Sequence, residues 1–289
     1  MPSRSHTHSP MPHSPDITGI QKVVRTALQN PRATVQHIER LPSRLHRLYN
    51  IHLGDGSQLV LSVPPGPSTR VLGHEHRSIE TEARVLDLLA AQTQVPCARK
   101  LRYEPGSSSP LNHQAYLLRS WLHGVSLASL APSLSPAHRA SIDRWLGHHL
   151  RSVSHVTAPR FGRLQRAFSG SGHASWREAF LSLFESVLRD AEDSLVSLPY
   201  DSIRSQLAQR AAVLDDIRTP QLVALDAGAD DAVLIDSVTG HISGLLRFEN
   251  VVWGDPMLAS WAANASGAFW DGWGSCPSRI GREKTRMQL

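Results

Sequence analysis

Between Thr34 and Pro64 the chain alternates apolar and polar residues in short runs, and Gly54-Asp55-Gly56 stands between two of them. Asp-Gly flanked by glycine supplies positive φ at little cost and is a strong hairpin signal. The runs Val35 to Leu41, Leu45 to Leu53 and Gln58 to Val63 are therefore expected to be three consecutive strands. Pro64-Pro65-Gly66-Pro67 ends the third, because proline cannot donate to a strand ladder.

Elsewhere the apolar period lengthens. Ile17 to Gln29 carries Ile20, Val23, Val24, Ala27 and Leu28 at helical spacing. A second helix is expected from His76 to Ala91, with Ile79, Ala83, Leu86 and Leu89 as its apolar stripe and Glu80, Glu82 and Arg84 towards water. Strands follow near Lys100 to Tyr103 and Ala115 to Trp121. Helices are then expected at Pro136 to Val153, capped by Ser135, at Trp176 to Leu195 and at Ser202 to Val213. Short apolar runs at Leu222 to Leu225, Ala232 to Ile235 and Ile242 to Phe248 form a late β-rich patch. This order predicts an α+β fold of two lobes. Its parts are a disordered tail (1–16), a β-rich lobe with a leading helix (17–120), a helical lobe with hairpins (121–274) and a polar tail (275–289).

The 289 residues can bury a sizeable core, and 40% hydrophobic with 19% charged residues is ordinary for a globular chain. No apolar run reaches the roughly 18 residues of a membrane span, and the polar, His-rich start is no secretory signal. Cys97 and Cys276 make neither a disulfide framework nor a zinc pattern. The net charge of +5 is scattered among acidic residues rather than gathered in a stripe. That argues against a nucleic-acid partner and for a solvated surface that attracts anionic ligands. A cytoplasmic protein that touches neither nucleic acid nor membrane is expected.

Five landmarks, in order, resemble those of the aminoglycoside-phosphotransferase and choline-kinase-like family, which has a protein-kinase-like fold. They are the strand Gln58 to Val63 ending at Pro64, the helix bearing Glu82, and Tyr116-Leu-Leu-Arg-Ser-Trp-Leu-His-Gly124. Leu222 to Asp236 and Gly244-Leu-Leu-Arg-Phe-Glu249, followed by Trp253-Gly-Asp-Pro256, complete them. The resemblance covers roughly residues 34 to 272. It implies a small antiparallel β-rich N-lobe, a mainly helical C-lobe that reads as shortened at its C-terminus, and a small-molecule ligand in the interlobe cleft. It also implies ATP and Mg²⁺ as cofactors.

Working members of that family use a strand lysine oriented by a helix glutamate, a catalytic aspartate, a metal-binding asparagine and a second metal-binding aspartate. Phosphoryl transfer draws its acceleration from positioning and from neutralising phosphate charge. Here the resemblance places Ser62 at the lysine and Glu82 at the glutamate. The three lysines, Lys22, Lys100 and Lys284, all lie outside that strand. An arginine such as Arg70 would bring a planar fork rather than a point charge. The usual His-Gly-Asp becomes Ala224-Leu225-Asp226, with Asp226 at the catalytic base. Counting forward from Asp226 puts Asp231 at the metal-binding asparagine. Counting back from Val233 to Asp236 puts Ala232 there instead. Asp226, Asp230 and Asp231 together could hold a hard cation, or form an acidic turn without one. At the second metal position the chain has Arg247, whose charge would repel a divalent ion and invite an ion pair with Asp226, Asp231 or Glu82.

Three readings follow. The first is a family member with a degraded ATP/Mg site, inactive or repurposed, in which Asp226 and Arg247 are the acid/base or anion-binding groups. The second is a working small-molecule O-phosphotransferase with unusual ligands. The third is a non-catalytic interaction protein. Trp253, Trp261, Trp270 and Trp273 are expected in the core. His155 is expected to be structural, and Ser169-Gly-Ser-Gly172 a loop without a P-loop lysine.

Overall fold

The structure, a computed structural model, describes residues 16–66, 68–278 and 280–289. The predicted disordered tail, with His6, His8 and His13, lies almost wholly outside the described residues. The chain divides into two compact units, one of residues up to Pro64 with Leu101–Leu118, the other of Pro65–Lys100 with Arg119–Leu289.

The first unit opens with helix α1 (Ile17–Leu28), whose first turn is capped by Asp16 Oδ1 accepting from Thr18 N at 3.0 Å. Strands β1 (Val35–Leu41), β2 (Arg47–Leu53) and β3 (Gln58–Val63) follow as an antiparallel meander. The turn between β2 and β3 is the one the sequence predicts. Gly56 takes φ 83°, and Asp55 Oδ1 accepts from Ser57 N at 2.9 Å. Side chains alternate across β3, so Leu59, Leu61 and Val63 pack with Ile20, Val23 and Val24 of α1, while Ser62 points to the other face.

Helix α2 (Ser78–Gln92) comes next in the chain and falls within the second unit. Strands β4 (Lys100–Glu104) and β5 (Tyr116–Ser120) complete a five-stranded sheet of order β1-β2-β3-β5-β4. Tyr116 and Leu118 of β5 join the α1 core.

The second unit continues with β6 (Val125–Ser126), α3 (Leu127–Leu130) and α4 (Pro136–Ser154), the last capped by Ser135 Oγ, which accepts from His138 N at 3.3 Å. Then come β7 (Gly162–Arg163), α5 (Leu164–Phe168), α6 (Trp176–Asp193) and α7 (Tyr200–Arg210). Strands β8 (Gln221–Ala224), β9 (Val233–Ile235), β10 (Ile242–Leu245) and β11 (Val251–Gly254) form two small antiparallel sheets, ordered β10-β9-β6 and β7-β11-β8. The expected strand to Phe248 stops at Leu245, because Arg247 adopts a left-handed φ of 66° that no ladder accommodates. Strand β11 was not anticipated. Its Gly254 lies beneath Trp176, where a Cβ would stand 2.2 Å from the indole Cζ3.

Helices α8 (Gly267–Trp273) and α9 (Gly281–Met287) close the chain. Trp261, Phe269, Trp270 and Trp273 form one aromatic cluster, and Trp253, Trp270 and Trp273 are buried, as expected. The segment read as a polar tail carries α9. From it Arg286 Nε reaches the buried Asp255 Oδ2 at 2.7 Å.

Candidate functional site

The register of β8 against β11 builds the centre of the site. Val251 pairs with Ala224 and Val252 with Val223, so the residues just beyond both strands, Asp226 and Asn250, emerge side by side. Leu225 N donates to Asn250 O at 3.0 Å, and Asn250 Nδ2 donates to Asp226 Oδ2 at 3.0 Å. Ser260 Oγ donates to Leu225 O at 2.8 Å and pins the same turn. The sequence reading picked out Asp226 but not Asn250, which owes its place to cross-strand register alone.

The acidic loop does not gather round a cation. Arg139 takes Asp230 in a fork, with Nη1 at 2.8 Å from Oδ2 and Nη2 at 2.9 Å from Oδ1, and its Nε binds Asp143 Oδ1 at 2.7 Å. Arg247 Nη2 pairs with Asp231 Oδ2. Asp226 has Asn250. Each of the three aspartates thus has its own partner. Among the described residues no group of three or more His, Cys, Asp or Glu side chains could hold a metal ion. Of the three ion-pair partners open to Arg247, the fold selects Asp231.

Glu82 is not on the solvated side of α2. It is 4% exposed, and Arg119 Nε of β5 lies 3.3 Å from its Oε1. Its spacing from Ile79 and Leu86 put it on the buried stripe, a signal the sequence reading passed over. Arg119, the one charge in the run Tyr116-Leu-Leu-Arg-Ser120, was also missed as a partner. Glu249 completes the cluster. Burial, with the charges of Glu82 and Asp226, pushes its carboxyl up to about 7 while Arg119 opposes the shift. Ser62, in the first unit, is fully buried, and its Oγ has no hydrogen-bond partner.

Asp226, Glu249 and Asn250 open onto a cavity of about 380 Å³ inside the second unit. Its apolar wall is made by Phe180, Leu183, Phe184, Val187, Leu225 and Leu258. On the other side stand Thr81, Gln165 and Arg163, fixed in place by hydrogen bonds. Gln165 Nε2 donates to Thr81 Oγ1 at 2.6 Å, and Arg163 Nη1 donates to Gly73 O at 2.7 Å. The arrangement suits a small organic molecule with an apolar body and a hydrogen-bonding group directed at Asp226.

A β-rich beginning, a helical remainder and an aspartate at the end of a paired strand define a protein of the kinase-like class. The sequence profile of the phosphotransferase enzyme family matches residues 37–258, and the chain belongs to that family. Solved structures agree on the fold. A thermostable mutant of aminoglycoside phosphotransferase APH(4)-Ia, in ternary complex with AMP-PNP and hygromycin B, is similar with a TM-score of 0.56 at 17% identity, over 83% of this chain and 74% of that one. A putative fructosamine-3-kinase from Thermobifida fusca gives 0.57 at 17% identity, over 89% and 83%. The streptomycin–ATP complex of APH(2")-IIa gives 0.59 at 11% identity, over 92% and 85%. No curated protein sequence matches the chain.

The residues present do not fit a magnesium ion held in the family's manner. Arg247 pairs with Asp231, so that carboxylate is already neutralised by a guanidinium. No helix among the described residues is long and apolar enough to cross a membrane.

Proposed function

We propose that this chain has given up metal-dependent phosphoryl transfer and binds a small organic molecule in the cavity at Asp226. The observation that carries this reading is the ion pair between Arg247 and Asp231. The resemblance gives Arg247 one metal-ligand position, and counting forward from Asp226 gives Asp231 the other. A guanidinium there repels a divalent ion and satisfies the remaining carboxylate. The phosphate-binding lysine is replaced by the buried Ser62, and Glu82 is occupied by Arg119. Loss of both charge-stabilising parts removes most of what accelerates phosphoryl transfer. The protein is read as cytoplasmic, with nucleic acid not among its partners.

The test is thermal unfolding with and without ATP plus Mg²⁺, followed by a phosphorylation assay on small alcohols. A ligand at about 100 times its dissociation constant stabilises a fold by roughly 2.7 kcal/mol, a shift that such a scan resolves. No magnesium-dependent shift is expected. Robust ATP- and Mg²⁺-dependent phosphorylation of any small alcohol overturns the reading.

One observation favours a second reading, that of a working O-phosphotransferase. Asn250 Nδ2 donates to Asp226 Oδ2 at 3.0 Å and so orients the residue to which the resemblance gives the catalytic-base position, as a group that accepts a hydroxyl proton needs to be. On that reading Asp226→Ala abolishes phosphorylation and leaves the fold intact.

A further inference from the structure

Arg163 and Leu183 line the cavity at Asp226, and the same two residues line a second, polar cavity of about 490 Å³. Arg166, Arg189 and His173 stand in its walls, with Glu185 and Asp190 as its carboxylates. Those carboxylates are already engaged. Glu185 receives Arg204 through two contacts, at 3.0 and 3.1 Å, and Arg189 Nε at 3.2 Å. Asp190 Oδ2 accepts from Gly73 N at 2.9 Å.

The guanidinium of Arg163 is held by two neutral acceptors, Gly73 O at 2.7 Å and Ser186 Oγ at 3.1 Å. Arg166 has no carboxylate partner among the described residues, and its charge is close enough to be felt at Arg163. Burial depresses the Arg163 pKa; Asp190 opposes it, and Arg166 adds a smaller depression. With Arg189 set against Glu185, the lining keeps Arg163, Arg166 and His173 against the single carboxylate Asp190, and an oxyanion there would gain charge-assisted hydrogen bonds.

We propose that this second cavity is an anion site, taking the carboxylate or phosphate group of a ligand whose apolar part occupies the cavity at Asp226. The placement of the apolar part rests on the function proposed above; the anion site does not. Arg163 is then the gatepost between the two cavities. Its guanidinium is fixed by Gly73 O and Ser186 Oγ, and those two bonds use two of its five N–H donors.

Four probes separate the possibilities at neutral pH and constant ionic strength: phenyl phosphate, phenylacetate, 2-phenylethanol and inorganic phosphate. Binding is read by calorimetry on the full chain, with the exposed Arg166 changed to Gln and to Glu. Both variants are expected to fold with a melting midpoint no lower than the parent's, since Arg166 is exposed, has no carboxylate partner among the described residues and acts unfavourably on Arg163. The aromatic anions are expected to bind more tightly than the alcohol. R166Q should weaken both by roughly tenfold, the worth of one charge-assisted hydrogen bond, and R166E should abolish their advantage over the alcohol. A preference for phosphate over carboxylate, retained only with Arg166, supports the site and names its ligand group. Equal binding of anions and alcohol, unaffected by R166Q, overturns the anion site and leaves the cavity reading standing. Arg166-dependent binding of inorganic phosphate without any aromatic probe keeps the anion site and removes the cavity reading. No binding by any probe overturns both.

Discussion

Arg119 Nε lies 3.3 Å from Glu82 Oε1, and neither residue is more than 9% exposed. The pair joins Arg119 of β5 to Glu82 of α2, and the Arg119 charge is also felt at Glu249. Removing it would leave uncompensated charge in a poorly solvated place. Arg119→Met is expected to destabilise the protein by about 3 kcal/mol in urea unfolding, and Arg119→Lys by less. A loss below about 1 kcal/mol would mean that the pair is solvated enough to be dispensable.

Glu249 gives the protein a specific pH dependence. Its carboxyl has an ordinary value of 4.5 and is pushed up to about 7 in the folded chain. Between those values the folded state holds a proton that the unfolded chain has released. Stability therefore falls as pH rises through that window and levels off above it. Glu249→Gln should flatten this part of the profile, measured as urea midpoints on either side of the window. An unchanged slope would place the titration elsewhere.

Arg247 combines an ion pair with a backbone conformation that suits glycine. At φ 66° a side chain with a Cβ is strained. Arg247→Gly and Arg247→Ala both lose the contact with Asp231, so their difference isolates the backbone. The glycine variant is expected to be more stable by about 1 kcal/mol in chemical denaturation. Equal stability would show that the turn relaxes to negative φ when the arginine is gone.

The C-terminal helix α9 is held by Arg286 against the buried Asp255 and, at the surface, by Arg282 against Asp216. Burial raises the Asp255 carboxyl pKa, with Arg286 opposing. Arg286→Ala should cost about 3 kcal/mol at neutral pH and less in acid, where Asp255 takes up a proton. The double change Asp255→Asn, Arg286→Met should recover most of that loss. Failure to recover would assign the cost to packing of the arginine stem rather than to charge.

Much of this was legible in local pattern. The meander β1 to β3 follows from alternation and the Asp-Gly turn. Helices α1, α2, α4 and α6 follow from their apolar stripes, and α4 also from its capping Ser135, within a few residues at their ends. Strand β11 was hidden because its four residues, Val251 to Gly254, are too short to show alternation. The end of β10 was misplaced because a left-handed arginine leaves no mark in a hydrophobicity pattern. The candidate site divides in the same way. Asp226, Arg247 and Asp231 stood out as residue types at motif positions. Asn250 and Arg119 did not, because their roles depend on which strands lie side by side.

By itself the sequence determined the β-rich start, the helical remainder and the kinase-like order of landmarks, and it put Ser62 and Arg247 where the resemblance implies a lysine and an aspartate. These are properties of residue identity and short-range period, set by turn geometry and burial of one face. Only the tertiary structure decided the pairing of charges: Arg247 with Asp231, Arg139 with Asp230, Arg119 with Glu82, Asn250 with Asp226. Side chains distant along the chain meet only once strand register and packing are fixed. The energy of an ion pair depends on distance and solvent, and neither is written in the order of the residues.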